Sequence, residues 1–295
     1  MATTSEAIEP RPAATVILLR DTVWGVEVLL VQRHQAARFM GGAHVFPGGR
    51  VDRSDRDMAD ERWCDGLAHA TAQLSALPPA DAVAFHIAAV RELFEEAGIL
   101  LARDRDRRVV ALGAAERERF TAYRHDVHSA AKLFRDVLER EHLRAALDAL
   151  VLFAHWVTPI GEARRFDTRF FVARMPPDQS FAHDERETIH SEWMTPADAL
   201  AQGIGKAIVL PPPTWTTLRE LEQFESSDQA IAWSRGRTIL RREPVVVEHN
   251  GARTLLLPGD PLHPMRWPDA PPRETRFVHA QGSWRADRPD LDEAM

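Results

Sequence analysis

The segment Arg91-Glu92-Leu93-Phe94-Glu95-Glu96-Ala97-Gly98-Ile99 holds the residues best suited to do chemistry. At about 100° per residue, a helix over this stretch gathers Glu92, Glu95 and Glu96 within about 100° of arc. Three carboxylates then share one face. Acids at this spacing repel, by roughly a few tenths of a kcal/mol per exposed pair and by more when buried. A divalent cation reverses the sign of that interaction, and hard oxygen donors in this number suit Mg²⁺ or Mn²⁺. Arg91 lies four residues before Glu95, within reach of an ion pair that would fix the acid's rotamer. On these residues alone the triplet also fits a solvated acidic helix face.

Such a helix needs an anchored back. Ile87, Val90, Phe94 and Ala97 recur at helical spacing and form a core stripe opposite the acids. The expected helix runs from about residue 82 to Ala97, with Asp81 as its cap and Gly98 as the terminating glycine. Upstream, Ala14–Arg20 and Val26–Arg33 read as a strand hairpin. Ala43–Phe46 reads as a third strand stopped by Pro47-Gly48-Gly49. Residues 50–58 are turn-like, and Ala59–Leu77 reads as a helix. Downstream, Ala114–Tyr123 and Ser129–Leu150 look helical, and Leu152–Val157 and Arg169–Arg174 look like strands. Residues 176–192 read as a polar loop, followed by helices over Pro196–Gln202 and Pro213–Phe224. Val245–Glu248 and Thr254–Leu257 suit a hairpin across Asn250-Gly251. The proline-rich last 35 residues are expected to be only partly ordered. Strands and helices mix without regular βαβ alternation, which points to an α+β fold.

A chain of 295 residues suggests about two domains, or one elaborated domain. The formal net charge of −7 argues against a general nucleic-acid binder. With 44% hydrophobic and 27% charged residues, the composition is that of an ordinary core-forming protein. The single cysteine, Cys64, excludes an internal disulfide and a cysteine-based zinc cluster. The thirteen histidines include no helical H-x-x-x-H zinc pair, and His125 with His128 is a weak substitute. Apolar runs such as Val16–Leu19 fall far short of the roughly 20 residues that span a bilayer. The opening residues lack the basic and apolar regions of a secretory signal, and the last three are no peroxisomal address. The expected location is the cytoplasm. Lys132 and Lys206 are the only lysines, so a bound anion would be gripped by guanidinium groups.

The run R-E-L-F-E-E-A-G-I resembles the second half of the Nudix box, G-x5-E-x7-R-E-U-x-E-E-x-G-U, with U apolar. Every fixed position of that half is filled. In the first half Gly49 serves as the leading glycine, but Asp55 stands where the pattern has Glu. About 28 extra residues separate Asp55 from Arg91. A second stretch, Leu29-Leu30-x-x-Arg33-x4-Arg38-x3-Gly42-x3-Phe46-Pro47-Gly48-Gly49, is similar to the signature of Nudix coenzyme A diphosphatases. It departs at Val31 and His34. The runs Gly42–Gly49, Arg164–Phe171 and Leu210–Leu221, with the split box, resemble the peroxisomal-type coenzyme A diphosphatases and their bacterial relatives.

That resemblance implies a Nudix fold, an α/β/α sandwich around a mixed sheet with a helical insertion at about 56–83 inside the box. It places a flexible arm at 1–12, one elaborated hydrolase domain at 13–242, and a C-terminal hairpin and tail at 243–295 packed on it. It implies Mg²⁺- or Mn²⁺-dependent hydrolysis of coenzyme A or acyl-coenzyme A to 3′,5′-ADP and (acyl-)4′-phosphopantetheine. Glu92, Glu95 and Glu96 would bind metal with the carbonyl of Gly48, and Arg91 would orient Glu95. Glu187, six residues before Trp193, would be a base or extra ligand, with Glu185 in reserve. Arg33, Arg38, Gly49 and Arg165 would contact substrate, and Arg164 is a further candidate. Phe46 and Trp193 could flank an adenine ring. Hydrolysis of ADP-ribose or a dinucleotide stays open, as does a non-catalytic nucleotide or coenzyme A binder. The implied partner is a small nucleotide, without nucleic acid or membrane; whether the chain forms a homodimer is left open.

Overall fold

The computed structural model describes residues 8–35, 40–129, 133–179, 188–267, 273–280 and 283–288. Its spine is a mixed sheet with the strand order Thr188–Met194, Gly25–Arg33, Arg11–Thr22, Phe166–Arg174, Val151–Val157 and Arg241–Arg242. The expected hairpin is present, longer than its apolar runs suggested. Phe166–Arg174 runs parallel to Arg11–Thr22, and the other long neighbours are antiparallel.

Arg11–Thr22 pairs with Gly25–Arg33 only over Leu19–Thr22. At its other end Ala13–Thr15 pairs with Gly48–Arg50, while His44–Val45 pairs with Gln32 and Val31. The two hairpin strands thus diverge, and the chain around Phe46-Pro47 fills the gap. The third strand ends at Val45, before Pro47, and Gly48–Arg50 then forms a separate strand that the sequence did not suggest.

Alternate side chains of Arg11–Thr22 enter two cores. Ala14, Val16 and Leu18 face the long helix Pro79–Ala97, while Ile17 and Leu19 face helices Pro196–Ile204 and Pro212–Leu221. The architecture is the expected α/β/α sandwich on a mixed sheet. The long helix starts with Pro79 at its first turn and Pro78 as the cap residue, so Asp81 is not the cap. Asp81 instead pairs with Arg56. Gly98 closes the helix with φ 70°, a left-handed geometry that favours glycine. The helix is not half-solvated: Ala82–Arg91 and Leu93–Ala97 are all buried.

The insertion is less helical than expected. Ala59–Leu77 does not form one helix; it contains a short strand, Cys64–Asp65, and the helix Leu67–Gln73, joined at left-handed Gly66 with φ 87°. Two polar side chains fasten it. Gln73 accepts from Leu152 N at 2.5 Å and donates to Leu150 O at 2.9 Å, and His69 Nε2 lies 2.8 Å from Leu150 O. The first expected helix runs on to His128, as Ala114–His128, whereas Ser129–Leu150 is only partly helical, with helix Phe134–Glu141 followed by the strand Arg144–Ala146.

Thr188–Met194, read as loop, is an edge strand. The described part of the tail is built of strands. Val245–His249 and Ala252–Leu256 form the expected hairpin, with left-handed Asn250 and Gly251 between them. Arg276–Ala280 and Ser283–Asp287 extend it to a four-stranded sheet. Leu255, Leu257 and Phe277 enter the second core. No helix among the described residues is long and apolar enough to cross a membrane.

His86 on the long helix is fully buried beneath Phe171, with Nδ1 2.8 Å from Ala82 O. Burial depresses its pKa to about 4. The unfolded chain takes up this proton near pH 6.5, well before the folded protein does. Stability is therefore expected to be lost as pH falls from about 6.5 toward 4, by at most about 1.4 kcal/mol per pH unit for this group. Denaturant midpoints across that range test this. His86→Leu should flatten the slope, and an unchanged slope contradicts the assignment.

Candidate active site

The site is organised around one guanidinium. Arg91 Nε and Nη2 donate to the two carboxylate oxygens of Asp55 at 2.8 and 3.0 Å. Nη1 donates to Glu92 at 2.7 Å and to Glu95 at 2.8 Å, and Nη2 also reaches Arg50 O at 2.8 Å. All five N–H groups of the arginine are thereby satisfied. The Arg91 and Asp55 side chains are only 8% and 1% exposed.

Asp55, which departs from the motif at glutamate's place, is folded against the motif's arginine across the whole insertion. Its helical turn, Arg53–Arg56, is capped by Asp52 N donating to Asp55 Oδ2 at 2.8 Å. Burial raises the Asp55 pKa, and the Arg91 hydrogen bonds oppose that rise. Burial also works against the charge on Arg91, but the surrounding Glu92, Asp55 and Glu95 carboxylates raise its pKa.

The three glutamates are held differently. Glu92 is pushed up to about pKa 7 by burial; Arg91 pulls the value down and the Glu95 charge pushes it up again. Gly49 lies directly beneath it, and a Cβ there would come within 2.5 Å of the Glu92 carboxylate. Glu95 bridges Arg91 and His128, whose Nδ1 is 3.6 Å away. Glu96 accepts from Gly48 N at 3.0 Å. A Cβ on Gly48 would collide with Ala14 O at 2.4 Å, so the strand pairing itself demands glycine there.

Glu92, Glu95, Glu96, Gly48, Gly49 and Arg33 all border one polar cleft of about 820 Å³. Among the described residues no three acidic, histidine or cysteine side chains already converge as a metal cage. One oxygen of each glutamate is engaged by Arg91 or Gly48. The donor set nonetheless fits a hard cation: carboxylates grouped in one cleft, with Glu92 destabilised by burial and by Glu95.

Arg165 borders the cleft, but Thr158 O, Ile8 O and Glu243 take up its guanidinium at 3.0, 2.7 and 2.5 Å. This geometry makes it an anchor for its loop at the border of the cleft. Exposed Arg164 lines the cleft beside it. Phe46 is buried in the second core and lines an adjoining apolar space. Trp193 lines neither; it packs beneath Arg20, 4.4 Å from the ring centre. Arg38, Glu185 and Glu187 lie outside the described residues.

Two residues of helix Ala114–His128 join the site, Arg124, which the sequence did not suggest, and His128, which it offered only as half of a weak zinc pair. Buried Arg124 donates to Glu95 O at 2.6 Å and Glu96 O at 2.7 Å, tying down the end of the acidic helix. His128 reaches the cleft from the same helix. Both contacts cross about 30 residues of chain, so no local spacing announces them.

The model of the NUDT19 Nudix domain matches residues 67–221 of this chain. Acyl-coenzyme A diphosphatase NUDT19 of Homo sapiens is 31% identical over 276 residues, covering 81% of this chain and 72% of that protein. Its Xenopus laevis counterpart is 28% identical, covering 81% and 71%. A crystal structure of a Nudix hydrolase from Alicyclobacillus acidocaldarius superposes with a TM-score of 0.61 at 27% identity. It covers 76% of this chain and 96% of that one.

Removing the Asp55 carboxylate leaves two buried Arg91 N–H groups, on Nε and Nη2, without their acceptors and strips one of the charges that compensate the guanidinium. Asp55→Ala is therefore expected to cost roughly 3–5 kcal/mol. Chemical denaturation measures this, and a loss below about 1 kcal/mol, typical of exposed pairs, would contradict the buried pairing.

Proposed function

The chain belongs to the Nudix hydrolases of the NUDT19 type, and from that membership we propose that it cleaves the pyrophosphate of coenzyme A or acyl-coenzyme A. The products would be 3′,5′-ADP and (acyl-)4′-phosphopantetheine. Its class is that of a hydrolase acting on phosphoanhydrides. The observation that carries the substrate reading is the meeting of the glutamates, Gly48-Gly49 and Arg33 in one cleft, in a chain similar to acyl-coenzyme A diphosphatases.

Glu92, Glu95 and Glu96, with the Gly48 carbonyl, would hold Mg²⁺ or Mn²⁺. When bound, the ion supplies charge neutralisation for the pyrophosphate oxygens. Arg91 acts behind the acids, fixing Glu92 and Glu95 through their Oε1 atoms. Gly49 leaves Glu92 room beside the strand. Arg33 ends its strand at the cleft, and its buried Nε has no hydrogen-bond partner among the described residues. Its guanidinium would grip a substrate phosphate, and Arg38 would assist. Glu187 would take the proton of the attacking water, with Glu185 in reserve.

The test is a hydrolysis screen of coenzyme A, acyl-coenzyme A, ADP-ribose and NADH with each metal. Coenzyme A or its thioesters should yield 3′,5′-ADP, and Glu96→Gln should lower turnover by about a hundredfold or more with the fold intact. Preferred cleavage of ADP-ribose or a dinucleotide would overturn the substrate assignment. Binding of coenzyme A without metal-dependent cleavage would overturn the catalytic one.

A further inference from the structure

A second space opens off the catalytic cleft. It measures about 390 Å³, and Thr15, Arg33, Gly48, Phe166 and Thr168 border both spaces. Its size lies within the range of roughly 300–1,000 Å³ typical of ligand pockets. The two spaces differ in chemistry. Beyond the shared border, the cleft is lined by the acids and by Arg11, Arg50 and Arg164. The annex is walled by Phe46, Trp156, Phe170, Pro212, Leu255 and Trp284.

These walls come from distant parts of the chain. Phe46 belongs to the segment that fills the gap between the diverging hairpin strands. Trp156 and Phe170 lie on central strands, and Pro212 begins a helix. Leu255 and Trp284 come from the tail sheet. Docking that sheet therefore completes the annex.

We propose that the annex is the subsite for the pantetheine arm and its acyl group, and that the tail sheet sets which acyl chains are accepted. This inference rests on the proposed coenzyme A diphosphatase activity. The substrate has one arm with a further phosphate, on the adenosine ribose, and one arm with none. Arg33 at the junction and Arg253 are the only cations bordering the annex among the described residues. Arg253 already pairs with Glu162, another annex residue. Such a space suits a chain of methylenes, amides and a thioester. A 3′-phosphate carrying between one and two negative charges finds its cations in the polar cleft. Arg33, on the shared border, is then placed at the pyrophosphate between the two arms.

The test uses full-length protein with Mn²⁺ and two inhibitors, S-octanoyl-4′-phosphopantetheine and 3′,5′-ADP. Trp284→Ala should weaken inhibition by the octanoyl compound roughly tenfold, the scale of a lost methylene or two in an apolar pocket. Inhibition by 3′,5′-ADP should change by less than about twofold, within the usual scatter for a residue that does not touch the ligand. Leu255→Phe, a smaller perturbation of the buried wall, should narrow the annex. It should lower the kcat/KM ratio of octanoyl- over acetyl-coenzyme A by a comparable factor. Weakened 3′,5′-ADP with unchanged octanoyl compound would place the nucleotide in the annex and overturn the proposal. So would unchanged inhibition and chain-length preference in variants that still cleave coenzyme A. Failure of the wild-type protein to cleave any coenzyme A compound would instead remove the activity on which the proposal depends.

Discussion

The arrangement of this site depends on burying one arginine among carboxylates. Arg91 sits on a helix that is buried almost all round, so its charge has little water to lean on. Burial of that kind is tolerable only when every donor finds an acceptor. Asp55 and the Arg50 carbonyl supply the acceptors on one side, Glu92 and Glu95 on the other. The same contacts that stabilise the guanidinium therefore fix the acids beside the cleft. Structural and chemical demands meet in a single side chain.

The sheet provides the matching half. Because Arg11–Thr22 and Gly25–Arg33 diverge, the chain can enter between them and return as the strand Gly48–Arg50. That return brings Gly48 N to Glu96 and Gly49 beneath Glu92. The helix is closed from the other end by Arg124, which holds the Glu95 and Glu96 carbonyls. The acids are thus gripped by the strand, by the Arg91 network and by a later helix. The long insertion leaves this assembly intact because it is fastened elsewhere, through Gln73 and His69 at the start of Val151–Val157.

Much of this was legible from local pattern. The hairpin, the acidic helix, its terminating Gly98 and the Asn250-Gly251 turn all follow from short-range chemistry, and the structure contains them. The errors share a different cause. Ala59–Leu77 has helical composition, but Gly66 adopts a left-handed conformation and tertiary hydrogen bonds claim its polar side chains. Thr188–Met194 is polar, yet it is an edge strand, where one side of the ladder and part of each face can stay wet. The described strands of the proline-rich tail have an apolar face that enters the second core, a long-range contact that local composition does not announce. Arg165 lines the cleft, and only the fold reveals that three of its N–H groups bond Thr158 O, Ile8 O and Glu243. The links from Asp55 to Arg91 and from Arg124 to Glu95 span too much chain for spacing to show them.

The central claim is that the forked geometry of Arg91, and not its charge alone, places the acids for catalysis. Arg91→Lys separates the two, since lysine keeps the charge but presents a compact ammonium with three donors. The decisive measurement is metal-dependent turnover of coenzyme A by this variant, with folding followed by its melting transition. A folded variant with turnover reduced by about a hundredfold or more is expected, on the scale of losing preorganised site geometry. A folded variant that turns over like the wild type would contradict the account.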